Sequence, residues 1–466
     1  MTSGDLYDVA ILGAGPGGMA AALQVARRGR TACVVESGHA GGTCLNVGCM
    51  PTKAMLAGSG VCRQIGSCDK YGLSASEPKV DAKAFMRRVA EAVSTLRDKT
   101  DKVLSASKQI TLVRGRGRLV DANTLAVRTD DGEVSVSARS IVIATGSRAA
   151  RPNFLPWDGD CVITSDEATT ADDLPRSVLI IGGGVIGCEF ATVYSELGIK
   201  TYVVEMLDQL LPGLDKEASA AAATSLADRN VEVLTGRRVA SVTPDGDEAS
   251  VELDDGRTIR VHRVLVAVGR ETNIADIGLR DVGVETDDGI ITVDERCRTN
   301  IDNIYAVGDV AEARQYAHLA DRMGVVAADN AMGHELADDR TVVPTGAYTH
   351  PEIASVGLNL AEAKASFGSA RVYRYSYKTG GMALVTGQTE GQVKLIADPD
   401  SGKIYGALWI GPHATDMIVE VALAMRNGLG LKHIAETIHP HPTFQEALAV
   451  IAEAWATQAI RKQTRS

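Results

Sequence analysis

The strongest constraint on this chain is a strand–glycine turn–helix–strand unit that occurs twice. The first copy opens with the apolar run Tyr7-Asp8-Val9-Ala10-Ile11-Leu12 and turns through Gly13-Ala14-Gly15-Pro16-Gly17-Gly18. A helical stretch then reaches Arg28, Gly29 caps it, and Thr31-Ala32-Cys33-Val34-Val35 leads to Glu36. The second copy runs Val178-Leu179-Ile180-Ile181, then Gly182-Gly183-Gly184-Val185-Ile186-Gly187, a helix through Leu197, a Gly198 cap, and Tyr202-Val203-Val204 before Glu205. Each glycine has its own task. Gly13 permits the tight turn, Gly15 lets backbone approach a pyrophosphate, and Gly18 lets helix pack on strand while the helix N-terminus faces the anion. Gly182, Gly184 and Gly187 repeat the pattern. Glu36 and Glu205 each follow the first glycine by 23 positions, placed to accept from a ribose diol. One such fingerprint is weak, since a plain structural turn can produce it. Two with the same offset predict two dinucleotide sites. Glu205 is followed by Met206-Leu207-Asp208, with no basic residue, and a carboxylate repels a 2′-phosphate, so the second unit should prefer NAD to NADP.

At 466 residues the chain is too long for one core, and two to four domains are expected. A net charge of −11 argues against nucleic acid or an anionic membrane as the main partner. No apolar run is long enough to span a bilayer, and no signal peptide is evident, so a soluble, cytoplasmic protein is expected. Eight scattered cysteines (33, 44, 49, 62, 68, 161, 188 and 297) fit that compartment, where an isolated close pair is more often catalytic than structural.

One close pair lies in Gly41-Gly42-Thr43-Cys44-Leu45-Asn46-Val47-Gly48-Cys49-Met50-Pro51-Thr52-Lys53. A buried apolar pair is one reading, although glycine, asparagine and proline do not suggest a plain core helix. Zinc would need two further ligands, and none lies nearby, so no metal is expected. The two-residue spacing of thioredoxin-like motifs is absent. In a regular helix these positions stand about 7.5 Å apart along the axis and face different ways. If the two thiols bond, the turn between them must be distorted, for which Gly48 and Pro51 are suited.

This segment closely resembles the active site of the class I pyridine nucleotide–disulfide oxidoreductases, in particular the branch that oxidises dihydrolipoamide. The resemblance covers essentially the whole chain: Ala144-Thr145-Gly146-Ser147, Ala306-Val307-Gly308-Asp309, the run from Tyr348 to Gly357, and His439-Pro440-His441-Pro442-Thr443-Phe444-Gln445-Glu446 all match. It implies an α/β chain of two Rossmann-like domains, FAD-binding over 1–147 and NAD-binding over 148–275. A central segment, 276–343, and an α+β dimerisation domain, 344–466, would follow. By resemblance FAD is held by Gly13, Gly15, Gly18, Glu36, Gly117, Thr145, Gly146, Ser147, Asp309, Ala317 and His318, with Lys53 against the flavin and paired to Glu189. NAD falls to Gly182, Gly184, Gly187, Glu189, Glu205, Val239 and Gly269.

The resemblance also divides the labour of a redox-active disulfide. Cys49 would face the flavin and Cys44 would exchange with substrate. His441, oriented by Glu446, would be the base, reaching the other subunit's thiols in a homodimer. His439 reads as a packing or hydrogen-bonding residue, and Cys62 and Cys68 are given no role. The implied reaction is oxidation of dihydrolipoamide on a lipoylated carrier protein or domain, with hydride passed to NAD⁺. A role as a purely structural subunit of a multienzyme core sits poorly with an intact thiol pair, base and both nucleotide motifs. One departure stands out: Leu319-Ala320-Asp321-Arg322 follows His318 where a lysine-alanine-glutamate run is usual.

Overall fold

The computed structural model describes residues 6–157 and 159–463. Strand Leu6–Leu12 lies in the middle of a seven-stranded sheet, parallel to Ala32–Glu36 on one side and to Gly132–Ile143 on the other. Ile110–Arg114 extends it in parallel beyond Ala32–Glu36, while Thr124–Thr129 and Arg116–Leu119 add antiparallel strands to the far side. The four central residues Val9 to Leu12 are buried between helix Pro16–Arg27 and the strand Arg116–Leu119, which folds back so closely that a Cβ on Gly117 would stand 2.6 Å from Leu12 Cδ1. Cover on both faces explains an unbroken apolar run rather than an alternating one.

The segment 276–343 joins this unit directly. Its strand Ile304–Ala306 pairs in parallel with the end of Gly132–Ile143. Its helix Ala317–Ala331 lies against helix Pro16–Arg27 at backbone contact: a Cβ on Gly324 would stand 2.1 Å from the Gly17 carbonyl oxygen. Asp329 fixes the crossing by accepting from Arg28 Nε and Gln24 Nε2, each at 2.9 Å.

The second sheet repeats the first in miniature. Five parallel strands run in the order Glu232–Thr235, Lys200–Glu205, Ser177–Ile181, Arg263–Val266, Val162–Thr164. Between Glu232–Thr235 and Arg263–Val266 along the chain sits an antiparallel meander of Val239–Asp245, Glu248–Leu253 and Thr258–Val261. The ribbon Ser147–Ala149 with Arg270–Thr272 stitches the two nucleotide-type sheets together.

The C-terminal sheet is antiparallel throughout, ordered Thr345–Ala347, Ile353–Gly357, Ile404–Ile410, Gln392–Ala397, Arg371–Ser376. Helices Ala414–Arg426, Leu431–Glu436 and Glu446–Gln463 follow. The strands Arg371–Ser376 and Gln392–Ala397 pair with each other over their full length. In the first unit a long helix, Ala82–Ala106, has its first turn capped by Asp81 Oδ1 accepting from the Ala84 amide at 2.9 Å.

Candidate active site

The two glycine turns superpose in their bonding as well as in sequence. Gly13 and Gly182 sit at φ +106° and +108°, where glycine alone is at ease, and a Cβ on either would strike a carbonyl oxygen, of Ala144 or Ala267. Under each turn a third glycine makes room for the helix: a Cβ on Gly18 or Gly187 would stand 1.9 Å from the carbonyl of Gly13 or Gly182. Gly15 and Gly184 differ, since a Cβ there would meet no protein atom within 4 Å. The helices that begin just after them carry no side-chain cap. Each turn therefore leaves backbone N–H groups and open space together, as an anionic pyrophosphate requires.

The paired acids are fixed alike. Glu36 accepts from the amides of Ala14 and Gly38, both at 2.7 Å. Glu205 accepts from Gly183 at 2.6 Å and Leu207 at 2.8 Å. Each carboxylate is thus held at its strand end, beside its turn.

The thiol segment is not one helix. Residues Gly42–Asn46 form a single short helix, the chain breaks at Val47 and Gly48, and a second helix runs Cys49–Gly66. A Cβ on Gly48 would lie 3.0 Å from the Thr43 carbonyl oxygen, so no side chain fits comfortably there. Thr169 Oγ1 donates to the Val47 carbonyl at 3.0 Å and Thr52 Oγ1 to that of Gly48 at 2.7 Å, which pins the break. Pro51 sits in the first turn of the second helix, where a missing N–H costs nothing. The break brings Cys44 and Cys49, both free thiols, into hydrogen-bond contact.

That contact separates the two thiols. Cys49 accepts the Cys44 proton, burial works against its ionisation, and the Lys53 ammonium favours it; the balance holds Cys49 below the ordinary thiol value, at about 7. Its place as the first residue of an 18-residue helix acts in the same direction, through the positive end of the helix dipole. Cys44 is pushed up, because ionising it would break the bond it donates and because it is buried. The pair titrates jointly, with the thiolate on Cys49.

Lys53 is one turn further along. Its Nζ reaches both oxygens of Glu189 at 2.9 and 2.8 Å and lies 4.5 Å from the centre of the Tyr348 ring. Glu189 is only 3% exposed and also accepts from the Tyr348 amide at 3.0 Å. Glu189 stands on helix Val185–Glu196, and seven residues on, at that helix's end, Glu196 makes a second rung. It is 1% exposed, accepts from Ser59 Oγ at 2.7 Å and meets His350 Nδ1 at 2.6 Å. Burial opposes its charge, yet the His350 and Ser59 bonds and the Arg229 cation hold its carboxyl below the usual range.

A single cleft of about 2130 Å³ connects these features. Gly13, Gly15, Glu36, Gly117, Thr145, Gly146, Ser147, Asp309, Ala317 and His318 line it at one end, Gly182, Gly184, Glu205, Val239 and Gly269 at the other, with Cys44, Cys49, Lys53 and Glu189 also on its wall. Gly18 and Gly187 lie beneath the turns and serve packing. His441 and Glu446 do not line it at all.

Comparison with known proteins settles the family. Residues 7–350 match the pyridine nucleotide-disulphide oxidoreductase model, and 343–452 match that family's dimerisation domain. The chain belongs to this family. The chain is 37% identical to a dihydrolipoyl dehydrogenase of Bacillus subtilis, over 97% of its own length and 99% of that protein. A dihydrolipoyl dehydrogenase of Chlamydia pneumoniae is 36% identical, over 95% of each chain. Among solved structures, LpdA from Mycobacterium tuberculosis has a TM-score of 0.90 at 28% identity, covering 96% of this chain and 99% of that one. The HOCl-induced flavoprotein disulfide reductase RclA from Escherichia coli has a TM-score of 0.86 at 25% identity, covering 96% and 99%.

This pyridine nucleotide–disulphide oxidoreductase is an enzyme whose cofactors are FAD and NAD, and two uncapped glycine turns opening into one cleft suit both. Around the first site, Ser147 Oγ donates to Asp309, and Arg270 donates to Ser147 Oγ at 2.7 Å and to its carbonyl at 2.9 Å. His318 Nε2 meets the Pro344 carbonyl at 2.8 Å. The unusual Arg322 after it binds Asp338 at 3.1 Å, so that departure is absorbed in a local ion pair.

His441 is 79% exposed, its Nδ1 2.7 Å from Glu446 Oε1, while the Thr443 amide donates to Glu446 Oε2 at 2.7 Å. These bonds hold the Glu446 carboxyl below the usual range. Within one chain the dyad is formed but stands apart from the thiols' cleft.

Some site residues escaped the sequence reading. Tyr348 and His350 lay in a quoted motif, yet nothing in their spacing showed that they fold onto Glu189 and Glu196. Basic residues near Glu205 come not from the positions that follow it but from beyond the neighbouring strand: Thr235 pairs with Glu205, and Arg237 and Arg238 then line the cleft. Arg237 is engaged by Asp255 at 3.0 Å. Cys33, Cys161, Cys188 and Cys297 are buried packing residues; Cys62 and Cys68 are half-buried.

Proposed function

We propose that this oxidoreductase is a dihydrolipoyl dehydrogenase: a cytoplasmic homodimer that oxidises dihydrolipoamide on a lipoylated carrier protein or domain, within or outside a multienzyme complex, with NAD⁺ as final acceptor. The observation that carries the reading is the polarised thiol pair, with Cys49 at a helix N-terminus beside Lys53 and Cys44 holding the proton. Among the described residues no helix is long and apolar enough to cross a membrane, and the matched dimerisation domain supports a homodimer.

In this reading Cys44 and Cys49 form a disulfide that the substrate dithiol reduces. A substrate thiolate attacks Cys44 Sγ, and Cys49 leaves as the thiolate that its surroundings already favour. The substrate's second thiolate then displaces Cys44, closing the lipoyl disulfide. His441 of the partner subunit takes the substrate proton, and Glu446 stabilises the imidazolium and fixes the ring. FAD, when bound, supplies the two-electron acceptor for the thiols, and NAD⁺ takes the hydride.

Gly13, Gly15, Gly18, Glu36, Gly117, the Thr145–Ser147 turn, Asp309, Ala317 and His318 would hold FAD, with Lys53 beside it. Gly182, Gly184, Gly187, Glu189, Glu205, Val239 and Gly269 would hold NAD. Residues 1–147 with 276–343 would be the flavin half, 148–275 the nicotinamide half and 344–466 the interface. The test is NADH formation from free dihydrolipoamide, a lipoylated domain and reduced glutathione. Turnover with the lipoyl substrates is expected; turnover with glutathione alone would overturn the reading.

A further inference from the structure

The loop that carries His441 is held from outside by a second histidine–glutamate pair. His439 is 6% exposed, its Nδ1 3.1 Å from the Thr437 carbonyl and its Nε2 3.1 Å from Glu420 Oε1. A carbonyl can only accept, so the ring donates from Nδ1 to Thr437 and presents Nε2 to the carboxylate. The other oxygen of Glu420 accepts from Gln445 Nε2. One carboxylate thus grips the loop two residues before His441 and four residues after it.

Glu420 itself stands on helix Ala414–Arg426, whose Thr415, Ile418 and Val419 line the thiol cleft. On the opposite side the buried Tyr377 hydroxyl donates to the Phe444 carbonyl at 3.2 Å and accepts from Trp409 Nε1 at 2.7 Å. Against this frame the loop has little freedom, while its His441 ring projects outward. Nothing in the family-type motif requires a glutamate on a different helix to close the loop at both ends.

We propose that Glu420, acting through His439 and Gln445, is a positioning residue for the base, setting the height and direction at which His441 is presented. This rests on the reading of His441 as the proton acceptor in thiol exchange. Loss of the clamp leaves the His441–Glu446 bond intact but lets the dyad wander as a unit. A misplacement of about 1 Å can cost on the order of 100-fold in rate.

The experiment uses the FAD-loaded full-length enzyme and two activities: NADH formation from dihydrolipoamide, which needs the base, and NADH oxidation by a quinone dye, which does not. Glu420→Leu is expected to lower kcat with dihydrolipoamide about tenfold or more, with dye reduction within about twofold of wild type and FAD content and dimer mass retained. Glu420→Gln, which can still bridge His439 and Gln445, should recover most of that loss. Should Glu420→Leu fail to assemble, His439→Leu removes one tether and is read in the same way. Unchanged dihydrolipoamide turnover, or equal loss of both activities, would overturn the clamp. His441→Gln separates the two ideas: if it keeps dihydrolipoamide turnover, the base assignment fails, whereas an inactive His441→Gln beside a normal Glu420→Leu sinks only the clamp.

Discussion

A thiol's charge is decided within a few ångströms, and here the deciding groups are Cys44, the helix N-terminus and Lys53. Because the Cys49 value is depressed from about 9 to about 7, its thiolate is present above that value and is lost as the pH falls through it. In the reduced protein the ultraviolet thiolate signal should therefore titrate with a midpoint near 7. Lys53→Met removes a cation that favours the thiolate and should move the midpoint upward; an unmoved midpoint would exclude Lys53 from that role. Glu205 offers a second residue-scale test. Glu205→Ala removes the carboxylate that repels a 2′-phosphate and leaves Arg238 on the cleft wall. KM for NAD⁺ should rise and the preference for NAD⁺ over NADP⁺ should shrink, both measurable by steady-state kinetics.

Elements are set by close approach. Helix Val185–Glu196 reaches its strand only because Gly187 has no side chain. Gly187→Ala should force helix and turn apart at a cost of about 1–3 kcal/mol and weaken NAD⁺ binding, with FAD content unchanged. Gly18→Ala should do the converse, losing flavin on gel filtration. The same helix carries the two buried rungs, Glu189 and Glu196, against the thiol-bearing helix Cys49–Gly66. Removing the Glu196 carboxylate would strand Arg63, Arg229 and His350 around an empty site, so Glu196→Ala should destabilise the fold by about 3 kcal/mol, read from urea unfolding. An unchanged midpoint would mean that the rung contributes nothing.

Across the whole molecule, the dyad and the thiols occupy different surfaces of one chain. If the active site is shared between subunits, inactive Cys44→Ser and His441→Gln dimers should complement each other after subunit exchange. Each mixed dimer then holds one intact site, and about half of wild-type activity per mixed dimer is expected. No recovery, with mixing verified by mass, would mean that the base acts within its own chain.

Much of this was legible from the residues alone. The twin glycine turns announce their helices, strands and acids because turn chemistry and period are local; the distorted link between Cys44 and Cys49 follows from helix geometry, and the break at Val47 and Gly48 supplies it. What local rules could not reach were pairings between distant segments: Tyr348 over Lys53, His350 on Glu196, Arg237 and Arg238 beside Glu205, and Glu420 beneath the His441 loop. Each arises from strand register or helix packing, which join residues tens to hundreds of positions apart. The twin turns and the thiol segment could be read directly because each lies in a short contiguous run. Which charges meet emerges with folding, because burial and hydrogen-bond partnership are properties of space rather than of the chain.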